Sequence, residues 1–478
     1  MRIKAFTLLL ISFCLFAGCS SSPEPIQPTV PSEPVSLWLV TEQTTKDGMN
    51  GEIETVVADF RKQYPNVDVT IEILPIQDEQ RNKRLSEIHD LIHSGNGPDL
   101  YLLPTSNLLI SDAPDSYTYH RVTPLFSNVD IAMRDGVFMD IGQFYRADTA
   151  INENELAEGV MDAGVVGDSR FVLPLRFLTP VICAFNEKCN AYGLTEDLLQ
   201  RNIDDWMAYV LTLNEPIIAC GAEYISFNAV SDFIDYDTGE VLLTENNLKS
   251  YLQSLNQIEN LIGSEAGHRS SAKLEFYIAN LLELYPVRIA PLSDAIVYAG
   301  IAKSLGKEFS MYPLRSDNGE YIATVSYYGA VGSGCDNPEA AYLLLRCFLS
   351  KESQLEFNRS ENHTVQYPGL MAESYPVLIQ GSVEPLWQNL QKQAKQGIGT
   401  QSNSQKYHAI QNTTLSQDDL KILDCPIDSA RFPLPHEQTM QYFTADLINS
   451  AQGYSDKVVD IDDLSSHIIE QLQITRNN

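Results

Sequence analysis

The sequence predicts an α/β fold divided into two lobes that strand crossovers connect. Three observations favour this fold. The chain has 478 residues, which is enough for two or three domains. Strand and helix patterns alternate near its beginning, and an apolar run over residues 171–186 is interrupted by two prolines. Hydrophobic residues make up 44% of the chain, so extensive cores can form.

Within the first hundred residues, segments with the two-residue alternation of strands take turns with segments that have the apolar spacing of helices. Residues 35–40 (VSLWLV) and 67–74 (VDVTIEIL) alternate apolar and polar positions and are predicted strands. Residues 51–64 and 79–93 carry apolar residues at helical spacing, and residues 99–103 (DLYLL) follow as a third strand. This β-α-β-α-β order predicts a parallel sheet with helices on its faces.

The run from Phe171 to Asn186, FVLPLRFLTPVICAFN, predicts the connection between the lobes. Pro174 and Pro180 each remove a backbone donor and fix φ, so we expect two short strands joined by a stiff extended segment. One strand would end the first domain and the next would begin the second. Arg176, the only charged residue of the run, would then lie at the mouth of a cleft.

The N-terminus has the pattern of a lipoprotein signal. Arg2 and Lys4 precede the apolar stretch 5–16, which is too short for a stable membrane anchor. Residues 15–19 (LFAGC) resemble a bacterial lipobox, which predicts a signal peptide over 1–18 and a diacylated Cys19. The alternative is an ordinary secretory signal that happens to contain a cysteine.

Residues 19–35 are predicted to be the lipidated cysteine and a stalk, because SSSPEPIQPTVPSEP contains five prolines. No later stretch is long and apolar enough to span a bilayer, so we expect a lipid-tethered protein facing the extracellular or periplasmic side.

The net charge of -31 argues against binding to nucleic acid. The envelope type and any disulfide pairing stay open.

Several motifs resemble those of the family 1 extracellular solute-binding proteins of bacterial ABC importers. Residues 64–69 (YPNVDV) and 94–100 (SGNGPDL) resemble the family's N-terminal motifs, and 171–194 resembles its first crossover, departing from it at Phe185-Asn186-Glu187 and Cys189. Residues 295–300 resemble a strand and turn of the family. Residues 325–357 resemble its returning strand and following helix. The similarities run in the family's order.

The resemblance implies a periplasmic-binding-protein-like fold of type II. Lobe 1 would comprise 36–175 and 324–370, and lobe 2 would comprise 176–323 and 371–478. It also implies a monomeric receptor without cofactor or catalysis, which binds a sugar or oligosaccharide between the lobes, closes about a hinge and docks on permease subunits.

The predicted ligand contacts are polar or aromatic residues near strand ends. Thr41 to Gln43 follow the first strand and Thr105 to Asn107 follow the third. Sugars present apolar C–H faces and hydroxyl groups, so aromatic, carboxylate and guanidinium side chains suit them. The selected contacts are Glu42, Arg176, Tyr298 after the strand that follows Pro291, and Tyr327 with Tyr328 on the second crossover. Each tyrosine could equally be a packing residue, and Arg176 could pair with an acid.

Other chemistries are less favoured by the sequence. Adjacent Tyr327 and Tyr328 suggest the tyrosine ligands of two-lobed ferric-binding proteins, but neighbours on a strand face opposite ways. His89 and His93 lack a third ligand, and the fragment Asp235-x-Asp237-x-Gly239 reads better as a polar hairpin turn than as a calcium loop. No metal site is predicted.

Two rival functions stay open: a surface lipoprotein enzyme acting on glycans, and a two-lobed sensing or adhesion protein without a transport role.

Overall fold

The structure is a computed structural model. It describes residues 28–29, 32–42, 51–75, 77–105, 109–111, 119–121, 123–213, 218–219, 234–235, 240–262, 286–351, 353–354, 375–378, 413–416, 418–433, 447 and 459–477. Structural statements below concern these residues. The predicted signal peptide, Cys19, most of the stalk, Gln43, Ser106 and Asn107 lie outside them.

The described strands are numbered in chain order. They are β1 (Val35–Glu42), β2 (Val67–Leu74), β3 (Leu100–Pro104), β4 (Leu109–Ser111), β5 (Tyr119–Arg121), β6 (Val165–Val166), β7 (Ser169–Arg170), β8 (Val172–Leu178), β9 (Pro180–Phe185), β10 (Ile218–Ala219), β11 (Ile234–Asp235), β12 (Glu240–Val241), β13 (Val287–Pro291), β14 (Phe309–Pro313), β15 (Ile322–Val331), β16 (Tyr375–Pro376) and β17 (Ser429–Arg431).

The described α-helices are α1 (Gly51–Gln63), α2 (Asp78–His93), α3 (Val129–Arg134), α4 (Gly142–Ala147), α5 (Glu158–Met161), α6 (Asn186–Ala191), α7 (Glu196–Leu199), α8 (Ile203–Leu213), α9 (Glu245–Ile262), α10 (Leu292–Ser304), α11 (Pro338–Cys347) and α12 (Ile461–Asn477). Short 3₁₀ helices cover Glu153–Glu155, Asp162–Gly164 and Asp418–Asp424.

The larger sheet contains seven strands in the order β16-β8-β15-β3-β1-β2, with β17 also paired to β15. β1 runs parallel to β2 and β3, which confirms the predicted β-α-β-α-β beginning. β15 is antiparallel to both β3 and β8 and so joins the two halves of the sheet. Alternate β1 side chains at Val35, Leu37 and Leu39 are buried in the main core, as their spacing predicted.

The smaller sheet contains four strands in the order β10-β13-β9-β14. Alternation along β9 separates its two faces. Val181 and Cys183 belong to the main core, whereas Ile182 and Ala184 belong to a second core that includes Ile203 of α8. Both faces of this sheet are therefore covered.

The run over 171–186 forms the predicted pair of strands. β8 belongs to the larger sheet and β9 to the smaller one, and Thr179 alone lies between them. Thr179 is buried, its hydroxyl donates to the carbonyl of Ile322 over 3.1 Å, and its own carbonyl accepts from the Leu292 amide over 3.0 Å. The chain thus crosses between the sheets through one restrained residue.

Two expectations need correction. Residues 295–300 lie inside helix α10 and are not a strand and turn. β16 pairs with β8 and β17 pairs with β15, so these two segments of 371–478 belong to the larger sheet and not to the second lobe. Helix α12, by contrast, is bound to α9 of the second lobe region through Lys249 and Asp462, 3.2 Å apart.

A buried polar cluster joins the end of α4 to α11. Asp148, just beyond α4, accepts a hydrogen bond of 3.1 Å from the Tyr342 hydroxyl and one of 3.2 Å from Arg346 Nη1. It also accepts from the Ala150 amide over 2.9 Å. Burial and the nearby Asp148 carboxylate raise the pKa of Tyr342, so its hydroxyl stays a donor.

We expect Asp148→Ala to lower the free energy of unfolding by about 2–3 kcal/mol, because Arg346 and the Tyr342 hydroxyl would lose a buried acceptor. Urea unfolding followed by circular dichroism measures this change. Asp135→Ala, at an exposed helix end, is the control and should change stability by less than about 0.5 kcal/mol. Equal losses in the two variants would contradict this account of the cluster.

Candidate functional site

The candidate site lies at one edge of the larger sheet. β1 and β3 are parallel and end there at Glu42 and Pro104. β8 ends at the same edge, since both it and β3 are antiparallel to β15. The crossover at Thr179 starts from this edge, and ligands of open α/β sheets bind beyond the carboxyl ends of strands. The sequence predicted the cleft at the same ends of these strands.

Buried polar side chains are concentrated at this edge. Thirteen polar or charged side chains are buried in the described part of the chain. Seven of them belong to the edge: Thr41, Glu42, Arg81, Thr105, Arg176, Thr179 and Ser326. Burying such groups costs free energy unless hydrogen bonds satisfy them, so their partners decide what the site can do.

Glu42 forms a buried bidentate ion pair with Arg81 of α2. Arg81 Nη2 lies 2.6 Å from Glu42 Oε1, and Nη1 lies 2.9 Å from Oε2. Arg81 also donates to the carbonyls of Thr123 and Pro75 over 2.7 and 3.0 Å. Burial raises the pKa of the Glu42 carboxyl, and Arg81 opposes that rise. Both Glu42 carboxylate oxygens are therefore engaged within the protein.

The two adjacent tyrosines have different surroundings. The Tyr327 hydroxyl donates to the Leu102 carbonyl over 3.2 Å and lies 3.3 Å from Thr41 Oγ1. The Tyr328 ring instead makes edge contacts with Phe138 and Phe432, at centroid distances of 6.3 and 5.8 Å. Burial raises the pKa of Tyr328 well above its usual value, which disfavours the phenolate that iron would require.

A double register shift between β8 and β15 surrounds Arg176. Val325 pairs with Phe177 and Tyr327 pairs with Arg176, which leaves Ser326 as an extra residue on β15. Thr105 binds this irregular stretch, because its hydroxyl donates to the Val325 carbonyl over 2.5 Å and its amide donates to the Ser326 carbonyl over 3.1 Å.

Two side chains of this bulge are fully enclosed. Arg176 is completely buried. The Ser326 hydroxyl is also buried and has no hydrogen-bond partner in the described structure. The bulge therefore places buried polar atoms of Arg176 and Ser326 at this edge of the sheet.

Tyr298 lies outside the larger sheet, on a different element from the other predicted residues. It lies in α10 and not directly after a strand, which corrects its predicted setting. The guanidinium carbon of Arg288, on β13, lies 4.8 Å from the centre of its ring. Glu42, Arg176, Tyr327 and Tyr328 thus come together in the larger sheet, and Tyr298 belongs to the smaller lobe.

Sequence reasoning missed Arg81 and Thr179. Arg81 lies 39 positions from Glu42 on a polar helix, and its burial could not be inferred from helical spacing.

The described residues contain no group of three or more His, Cys, Asp or Glu placed to hold a metal ion. Among the described helices, none is both long and apolar enough to cross a membrane.

Comparison with solved structures identifies the fold. A family 1 extracellular solute-binding protein from Alicyclobacillus acidocaldarius is 12% identical, with a TM-score of 0.53, and the match covers 94% of this chain and 100% of that one. The chain has a two-lobed solute-binding-protein fold. The sugar-binding protein MalE from Xanthomonas citri matches at 12% identity and TM-score 0.53, over 92% and 97% of the two chains.

A structure described as a de novo designed cysteine esterase also matches, at 12% identity and TM-score 0.53, over 94% of this chain and 99% of that one. No protein-family model matches the sequence, and no curated protein matches it. The two-lobed fold is therefore established by structure, and the predicted type of fold is confirmed.

We expect Arg81→Met to lower the free energy of unfolding by about 3–5 kcal/mol at neutral pH, because the Glu42 carboxylate would stay buried without a cation. Without Arg81 the Glu42 pKa rises further, so the folded state binds a proton more tightly than the unfolded state. The variant's deficit should shrink as the pH falls. Urea unfolding at several pH values measures both effects.

The control is Arg81→Met combined with Glu42→Gln, which removes the buried charge. Its stability should depend less on pH than that of Arg81→Met. A deficit in Arg81→Met that is the same at all pH values would contradict the ion-pair account.

Proposed function

We propose that the protein is a membrane-tethered receptor that binds a small solute, a sugar or oligosaccharide, and delivers it to an ABC importer by hinge closure. The supporting observation is the edge at which the two sheets meet, where polar side chains gather beside the single-residue crossover. The solute would lie between the lobes at this edge and favour the closed form by its differential affinity.

The residues at this edge fit a neutral, polyhydroxylated solute. Glu42 and Arg81 neutralise each other, and burial raises the pKa of Tyr328, which keeps its hydroxyl uncharged. We propose that the solute binds beside the buried group formed by Glu42, Arg176, Tyr327 and Tyr328, with Tyr298 contributed by the second lobe. The match in fold to a sugar-binding protein supports this class of solute.

The proposed location follows from the N-terminal sequence. Cys19 would carry the lipid, the proline-rich segment would act as a spacer, and the folded lobes would face the extracellular or periplasmic side. The permease subunits of the importer would be the protein partners, and the receptor would act as a monomer without a cofactor.

Two other functions are distinguishable from this proposal. An enzyme acting on glycans would turn over its substrate. A sensing or adhesion protein would keep the fold but would bind no small solute.

We expect the chain from Ser20 onward to be stabilised by at least one saccharide in a thermal unfolding panel. The panel contains maltotetraose, xylotriose, glucose, an amino acid mixture and ferric citrate. A solute at about 100 times its dissociation constant adds about 2.7 kcal/mol of stability, which is a shift of a few degrees. A shift with ferric citrate alone would contradict the saccharide proposal and support iron binding by the tyrosines. The absence of any shift would contradict binding of these solutes.

The lipid anchor is tested separately. We expect Cys19→Ala to prevent acylation, because the thiol is the group that would carry the diacylglycerol. The variant should leave the membrane fraction and lose palmitate labelling in cells, while Cys14→Ala should behave as the unmodified chain does. Equal membrane retention in both variants would contradict the predicted anchor.

A further inference from the structure

Strand β2 lies at one side of the larger sheet, and among the described strands it pairs with β1 alone. The two strands are parallel, and the Val35 amide donates to the Asn66 carbonyl over 2.8 Å. In a parallel ladder the N–H and C=O groups of one residue point to the same side, and successive residues alternate. The odd-numbered residues of β2 therefore have backbone groups that point away from β1: Val67, Val69, Ile71 and Ile73.

Both outward backbone groups of Val69 have side-chain partners. The Val69 amide donates to Asp68 Oδ1 over 3.0 Å, and the Val69 carbonyl accepts from Nη2 of Arg61, in the last turn of α1. Arg61 Nη2 also lies 3.4 Å from Asp68 Oδ1, so the two side chains bind each other as well as the backbone. Just before them, the Val67 amide donates to the Tyr64 carbonyl over 3.0 Å. The chain thus occupies the outer side of β2 over its first residues.

The charges of β2 itself give the strand little protection against pairing. Glu72 is the other charged residue of the strand, and its Oε1 lies 2.6 Å from Arg84 Nε. Asp68 has Arg61 beside it. Each negative charge of β2 therefore has a cation next to it, whereas strands at the side of a sheet are commonly protected by unpaired charges. At Val69 the protection comes from occupied hydrogen-bonding groups.

An uncovered β2 suits a second copy of this chain. Five of its eight residues (VDVTIEIL) are β-branched, and such residues favour strands. Two copies of one strand can pair antiparallel about a two-fold axis, because each then supplies the donors and acceptors that the other lacks. Ile73 is 36% exposed, so this pairing would also cover apolar surface. A ladder through Val69 forms only after its contacts with Arg61 and Asp68 break in both copies.

We propose that Arg61 and Asp68 form a cap on β2 that keeps a second copy of this chain from pairing with the strand. The β2 cap acts because its hydrogen bonds to Val69 have to break before an intermolecular ladder can form there. The inference goes beyond the proposed function and does not depend on it.

Arg61→Ala combined with Asp68→Thr removes the β2 cap and leaves the net charge unchanged. Sedimentation velocity of the chain from Ser20 onward, over a range of concentrations, measures association. Salt of about 150 mM limits the repulsion between these acidic chains to a distance of about 8 Å. We expect the uncapped variant to form dimers with an association constant at least about tenfold higher than that of the unmodified chain, because no cap has to open in either copy.

The control is Lys62→Ala combined with Asp59→Ala. These residues form an ion pair of 2.7 Å on α1, both side chains are exposed, and their removal also leaves the net charge unchanged. The control should sediment as the unmodified chain does. Hydrogen exchange then locates the contact between copies. In the uncapped variant alone, amide exchange over residues 67–74 should slow as the protein concentration rises.

Two results would overturn the β2 cap. One is sedimentation of the uncapped variant that matches that of the control at every concentration. The other is dimerisation without slower exchange over residues 67–74, because the copies would then associate through a different surface. If circular dichroism shows that the uncapped variant is unfolded, Arg61→Ala alone decides the question by the same two measurements.

Discussion

The rest of the structure depends on the crossover at Thr179. β8 and β9 belong to different sheets, yet a single residue separates them. Pro180 has a fixed φ and no amide donor, so this connection is stiff. Residues 314–321, which connect β14 to β15, end at the same place, because the Thr179 hydroxyl donates to the carbonyl of Ile322 at the start of β15. The position of the interlobe edge is therefore a consequence of a local sequence feature.

The polar character of this edge follows from the way the strands end. Three threonine hydroxyls donate to strand carbonyls there: Thr41 to Leu102, Thr105 to Val325 and Thr179 to Ile322. Each satisfies a buried backbone acceptor next to an irregular or terminating ladder. These hydroxyls are thus committed to the backbone, and they hold the edge in a fixed geometry for any solute that binds there.

Local elements were predictable because their periodicity is strong. The alternation in β1 and β2, together with Pro174 inside β8 and Pro180 at the start of β9, led to correct strands. Helix α10 was not predicted because LSDAIVYAGIAKS is apolar on nearly every side, so it lacks the one-sided pattern of a surface helix. β16 and β17 contain two and three residues, too few to show any period. Their pairing with the larger sheet is decided by contacts distant in sequence.

The candidate site shows the same division between local and distant information. Strand ends can be located from the sequence, so residues such as Glu42 could be assigned to the edge. What each side chain does there depends on partners far along the chain, as Arg81 does for Glu42 and Leu102 for Tyr327. A carboxylate chosen as a ligand contact proves to be half of a buried ion pair. Residue type and position at a strand end thus predict where a site lies better than they predict which atoms remain to bind a solute.

The connections at Thr179 and at residues 314–321, which join strands of the two sheets, are mechanically unequal, and this inequality favours rotation about Thr179. Thr179 directly precedes Pro180 and is the only residue of its link, so the link has few dihedral angles that can change. Residues 314–321 are longer and contain Gly319 with a positive φ, which is typical of a turn. A rotation between the lobes would therefore pivot near Thr179 and displace residues 314–321 by greater amounts. Contacts made by residues 314–321 would consequently change with the lobe angle, whereas contacts at Thr179 would change little.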